Sequence, residues 1–101
     1  MKRDAVAARA KARWDALIKL DLDSAYQYLS PATRETTPLD VYKAKHKVGI
    51  YRSAKVDDVD CKGDACTVRL TVTYDYRQFR GMQTPLVEKW IITRGQAWLV
   101  E

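Results

Sequence analysis

From Cys66 to Gln78, apolar and polar side chains alternate. Cys66, Val68, Leu70, Val72, Tyr74 and Tyr76 fall on one face, and Thr67, Arg69, Thr71, Thr73, Asp75 and Arg77 on the other. Successive side chains on a strand point to opposite sides, so this is a half-buried strand whose apolar face needs a cover. The N-terminal half is helical in pattern and supplies it. Val6, Ala10, Trp14, Leu17 and Ile18 recur at helical spacing between Asp4 and about Leu20, an apolar stripe made to lie on a sheet. Lys2, Arg3, Arg9, Lys11, Arg13 and Lys19 are assigned to the remaining surface, among alanines that favour helix. Asp21 and Asp23 can cap a second, short helix with Ala25, Tyr26 and Leu29 inward. Ser30-Pro31 pairs an N-cap with a proline at the first helical position. Thr37-Pro38 repeats the device before a third helix from Leu39 to about His46, which Gly49 ends.

The strand before the alternating one, Ile50 to Asp60, is irregular. Val56 and Val59 lie three apart, which a flat strand sends to opposite faces; a bulge at Asp57-Asp58 brings both to the core side. After the alternating strand, Phe79-Arg80-Gly81-Met82 is read as the turn, with Pro85 at the start of the next strand because proline cannot donate to a ladder. That strand, about Leu86 to Thr93, turns Leu86, Glu88, Trp90 and Ile92 inward. Two hairpins can follow. A three-residue loop, Thr93-Arg94-Gly95, is preferred and sets Trp98 opposite Trp90 in the core; a two-residue loop, Arg94-Gly95, sets Trp98 on the outer face beside Ile91.

A chain of 101 residues with 47% apolar and 31% charged side chains is expected to form one domain over 1–101, a helical layer (1–48) on an antiparallel sheet (50–101). No apolar run approaches the roughly 20 residues that cross a bilayer. The net charge of +5 is uneven: positions 1–20 hold six basic and two acidic residues, and 41–55 hold five basic and none acidic. Such an excess can attract nucleic acid, but the aromatic residues follow the core-facing pattern instead of interleaving exposed basic ones. The charge is therefore read as solvated helix surface, and nucleic acid as an unlikely partner. His46, among Lys43, Lys45 and Lys47, is read as an exposed residue rather than a general base.

Cys61 and Cys66 flank Lys62-Gly63-Asp64-Ala65, a hairpin loop in composition. Facing each other across the last rung they lie within disulfide range, which is the preferred reading; two free thiols in a reducing cytosol is the other. A bond implies an oxidising compartment. The expectation is then a periplasmic or otherwise extracytoplasmic protein whose signal segment lies outside these residues, with a cytoplasmic protein as the alternative. Two cysteines and one distant histidine fall short of a metal site, and no cofactor motif is present.

The order of elements, with Trp14-Asp15-Ala16-Leu17, Ala25-Tyr26-Gln27-Tyr28-Leu29-Ser30-Pro31, Glu88-Lys89-Trp90-Ile91-Ile92 and Gly95-Gln96-Ala97-Trp98-Leu99-Val100, resembles the nuclear transport factor 2-like superfamily, in particular small bacterial exported domains of that group. The resemblance implies an α+β cone of N-terminal helices on a curved four-stranded sheet, a pocket at its open end and frequent dimerisation through the sheet. Its members include isomerases, dehydratases, epoxide hydrolases and domains without activity. Isomerases of this fold use a pocket carboxylate, and Glu88 is the one carboxylate assigned to the core face. A hairpin turning about Gly81 sets it opposite Tyr74, a pair that could act as base and hydroxyl donor. Trp14, Tyr26, Tyr74, Tyr76, Trp90 and Trp98 are the candidate lining of a pocket for a small apolar ligand. Thr71, Thr73, Val87 and Ile91 form a candidate homodimer face on the outside of the sheet. The favoured function is a non-catalytic binding or interaction domain; a small isomerase or hydrolase using Glu88 and Tyr74 is the alternative.

Overall fold

The computed structural model describes residues 2–46 and 49–101. Helices α1 (Lys2–Ile18), α2 (Leu22–Tyr26), α3 (Pro31–Thr36) and α4 (Leu39–His46) precede strands β1 (Tyr51–Lys62), β2 (Ala65–Tyr76), β3 (Phe79–Thr93) and β4 (Gln96–Val100). The strands pair antiparallel in chain order, β1-β2-β3-β4. The result is an α+β meander with its helices on one face.

Local signals in the helical half act as their chemistry dictates. α1 stops where Leu20 takes a left-handed φ of 59°. The Leu20 N–H then donates to Leu17 O and the Asp21 N–H to Ala16 O, tying off two carbonyls of the last turn. Asp21 caps α2 by accepting from Ser24 N, and Ser30 caps α3 by accepting from Thr33 N. α3 is a helix in its own right, so the layer has four members. The Tyr28–Ser30 segment runs beside β4 and covers its edge: Leu99 N–H donates to Tyr28 O, and Ser30 N–H to Leu99 O, both at 2.8 Å.

Beneath the helices, Cys66, Val68, Leu70 and Val72 are all buried, with Trp90, Ala97 and Leu99 beside them and Val6, Leu17, Leu29 and Tyr42 above. Alternation on β2 thus sets the core face, until Tyr74 is half-buried and Tyr76 is 49% exposed. The predicted bulge in β1 is present: the register shifts between Val56 and Asp58, so Val56 pairs with Leu70 and Val59 with Val68. The displaced Asp57 accepts from Thr71 Oγ1 at 2.6 Å, and Asp58 pairs with Arg69 at 3.1 Å.

Three expectations about the hairpins are corrected. The β2–β3 turn is Arg77-Gln78, since Tyr76 pairs with Phe79, and β3 is correspondingly longer. Gly81, with φ 67°, serves a bulge opposite Asp75, where its N–H donates to Asp75 Oδ1 at 2.8 Å. Pro85 sits within β3, paired with Thr71. It is tolerated because β4 pairs only with Lys89–Thr93, leaving that stretch of β3 a free edge. The β3–β4 turn is the two-residue Arg94-Gly95, both with positive φ (52° and 76°), the form that matches strand twist. Trp98 therefore pairs with Ile91 on the outer face, and Leu99, not Trp98, lies opposite Trp90.

Cys61 and Cys66 pair across the β1–β2 hairpin and are bonded. The strands continue one rung further, Lys62 to Ala65, so the turn itself is Gly63-Asp64. Closing so short a loop is worth about 2 kcal/mol in chain entropy. Replacing both cysteines by alanine is expected to lower stability by about that amount in urea unfolding. Reductant on the unaltered protein should have the same effect; identical midpoints with and without it would show that the bond adds nothing.

Candidate functional site

The interior between α1 and the sheet is organised around Arg13. Its guanidinium donates from Nη1 to Glu88 Oε2 at 3.0 Å, and from Nη2 to the Tyr42 hydroxyl at 3.1 Å and Glu101 Oε1 at 3.5 Å. Glu88 receives two further donors: Trp14 Nε1 on Oε2 at 2.8 Å and Trp90 Nε1 on Oε1 at 3.1 Å. Side-chain exposure is 3% for Arg13 and 11% for Glu88, so this ion pair is largely withdrawn from water. A cation from α1, a carboxylate from β3, a phenol from α4 and the terminal Glu101 thus form one connected cluster.

Arg13 was expected on the helix surface. Its position contradicts that: it is three residues from Ala10 and four from Leu17, on the same stripe as the buried apolar residues. That spacing was the signal available in the sequence. Burial of the charge is tolerated because Glu88 and Tyr42 answer it, although Arg13 Nε has no partner among the described residues.

At the end of the sheet away from the disulfide lies an apolar cleft of ≈ 230 Å³, lined by Ile50, Tyr51, Val72, Tyr74, Thr84 and Leu86. Tyr51 closes its inner side by packing edge-on to Trp14, with ring centres 5.1 Å apart. Its polar feature is the hydrogen bond between the hydroxyls of Tyr74 and Thr84 at 3.0 Å.

This architecture has solved counterparts. A SEC-C motif containing protein from Rhodopseudomonas palustris superposes with a TM-score of 0.69 at 20% identity, over 93% of this chain and 73% of that one. A "putative NTF2-like transpeptidase" from Campylobacter jejuni superposes with a TM-score of 0.64 at 14% identity, over 91% and 94% of the two chains. The chain has the nuclear transport factor 2-like fold. No protein-family model and no curated protein matches its sequence.

Within this nuclear transport factor 2-like fold, the residues proposed for a pocket scatter. Trp14 and Trp90 are buried and spend their N–H groups on Glu88. Tyr26 is buried against Tyr42 and donates to Thr37 O at 2.7 Å. Tyr76 is exposed beside Arg77, and Trp98 lies on the outer face. Tyr74 alone of the set lines the cleft; Tyr51, its cross-strand partner, was not singled out in the sequence. Glu88 pairs across with Val68, whereas Tyr74 pairs with Met82, which separates them by about 20 Å along β2. The acid–phenol pair expected from a turn at Gly81 is therefore not formed. Among the described residues, no group of three His, Cys, Asp or Glu side chains comes together as a metal site.

His46, expected in solvent, is instead half-buried, its ring 4.3 Å from that of Tyr42. Burial, followed by the charges of Arg13 and Lys45, holds its pKa below the usual histidine value, against an opposing pull from Glu101. Burial likewise raises the Tyr42 hydroxyl, against the nearby Arg13.

Two predictions test the cluster. Glu88→Gln leaves a buried arginine without its nearest counter-charge and should cost about 3 kcal/mol of stability in chemical denaturation. Arg13→Met should cost a similar amount, and the double variant less than the sum, because removing both charges removes the penalty of an orphan. Additive losses would show that the pair is uncoupled. The second concerns pH. His46 is kept neutral by the fold, so the unfolded chain takes up a proton first as pH falls below about 6.5. The stability associated with His46 is thus present above that pH and is lost on acidification through its lower folded value. The decline below about pH 6.5 should be shallower in His46→Gln, as read by urea midpoints; equal slopes would place the acid sensitivity elsewhere.

Proposed function

We propose that this chain is a non-catalytic binding domain of a bacterial envelope protein, with a small apolar ligand seated in the cleft between Tyr51, Tyr74 and Leu86. The observation that carries the reading is the state of Glu88, the fold's interior carboxylate. Both of its oxygens are held by an arginine and two indoles, so it serves packing and charge balance where a general base would need access to a substrate proton. The cleft at the end of the sheet is apolar, with one hydroxyl pair to orient a ligand oxygen. The Cys61–Cys66 bond supports an oxidising compartment, and the two solved structures named above are from bacteria. No described helix is long and apolar enough to cross a membrane. A second copy could pair through the outer sheet face, where Val87 is 61% and Ile91 36% exposed next to Thr71 and Thr73.

The test is a nuclear magnetic resonance titration with 1-octanol, an uncharged chain with one hydroxyl. Shifts should cluster at Tyr51, Val72, Tyr74, Thr84 and Leu86, persist in Glu88→Gln under conditions where it is folded, and weaken at least tenfold in Leu86→Asp. Shifts elsewhere, or any turnover of an ester or ketone that Glu88→Gln abolishes, would overturn the proposal.

A further inference from the structure

A second cleft, on the opposite side of the sheet from the interior cluster, is built around Trp98. The guanidinium carbon of Arg9 lies 5.3 Å from a Trp98 ring centre, and that of Arg34 5.7 Å. Arg9 also stacks 4.7 Å over Tyr28. Both cations are held in place by neutral acceptors: Arg9 Nε donates to Ala97 O at 2.7 Å, and Arg34 Nη1 to Gln27 Oε1 at 3.3 Å. Neither has a carboxylate partner among the described residues, and neither has Arg94. Lys2, Lys11, Arg13, Lys43, Arg52, Lys55 and Arg69 do have one, while Arg3, Lys19, Lys45, Lys62, Arg77, Arg80 and Lys89 share the lack. What sets Arg9 and Arg34 apart is that both lie over one indole. Burial lowers the Arg9 pKa, as expected of a cation partly stripped of water with no anion beside it.

Next to this group opens a cleft of ≈ 520 Å³, lined by Pro31, Ile91, Thr93, Arg94, Gln96 and Trp98. Its lining contains one cation and no acid. Trp98 and Ile91, directly paired across β3 and β4, give it an apolar floor. Arg94 stands in the β3–β4 turn at its rim, where a planar fork of N–H donors suits a carboxylate or phosphate. Arg9 and Arg34 lie over the Trp98 ring, so their positive potential sits beside the apolar floor that Trp98 and Ile91 give the cleft.

We propose that this cleft binds a small anion carrying a flat apolar body, the body against Trp98 and Ile91 and the phosphate or carboxylate on Arg94, within the field of Arg9 and Arg34. The site is independent of the octanol cleft, and either can fail alone. The probe is 2-naphthyl phosphate, titrated into the intact isotopically labelled protein at low salt. Shifts are expected at Ile91, Arg94, Gln96 and the Trp98 indole, with 2-naphthol and inorganic phosphate each binding at least tenfold more weakly. Arg94→Asn keeps the turn, since asparagine before glycine favours that backbone, and should weaken naphthyl phosphate at least fivefold. Arg34→Gln should weaken it without moving the naphthol affinity. Equal binding of naphthol and naphthyl phosphate, no loss in either arginine variant, or shifts confined to another surface would each overturn the assignment.

Discussion

A buried arginine can be held only where its charge is answered, and the helical layer of this protein is seated by that requirement. Removing an arginine and a glutamate from water costs several kcal/mol per ion, and their attraction offsets this only when further hydrogen bonds satisfy the remaining groups. Here Trp14, Trp90, Tyr42 and Glu101 supply those bonds. The cluster is thus a geometric condition as well as an energetic one. α1 must present Arg13 to the sheet, β3 must hold the register that puts Glu88 beside Trp90, and α4 must bring Tyr42 within reach. An apolar cluster of equal volume would tolerate a slip that this one would not.

That condition bears on function. In a nuclear transport factor 2-like cone the interior is where a ligand or a catalytic carboxylate would be sought. In this chain the interior carboxylate is occupied by its own protein, and two tryptophans fill the space beside it. Open surface lies at the margins, among it the apolar cleft at the end of the sheet beyond the Trp14–Tyr51 contact and the cationic aromatic surface around Trp98. Structural neighbours at 20% and 14% identity share the architecture, and an architecture of this kind carries many activities.

The sheet is shaped by irregularities as much as by its regular rungs. Bulges at the Val56–Asp58 step of β1 and around Asp75 bend the strands, and each is stabilised by an aspartate accepting a bond: Asp57 from Thr71, Asp75 from Gly81. The disulfide closes the hairpin at the opposite end. Polar side chains thus act as backbone devices on a sheet whose inward face is otherwise apolar.

The alternation of β2, the caps at Asp21 and Ser30, the bulge beside Asp57 and the opposed cysteines were all legible along the chain. Each depends on neighbours within a few residues or on the period of a single strand. The β2–β3 turn was misplaced because glycine marks a left-handed backbone without saying whether a turn or a bulge uses it. That error moved Glu88 away from Val68 and towards Tyr74. The two-residue turn before β4 decided the side of Trp98, although the residues permitted either loop. Arg13 was misassigned because helical spacing identifies the buried stripe but cannot show that a charge on it has partners more than seventy residues away. By itself, then, the sequence determined periodicity, caps and the α+β order, which are local. Only tertiary structure decided register, the neutralising of Arg13 and the location of open surface, because those depend on which distant groups satisfy one another once water is excluded.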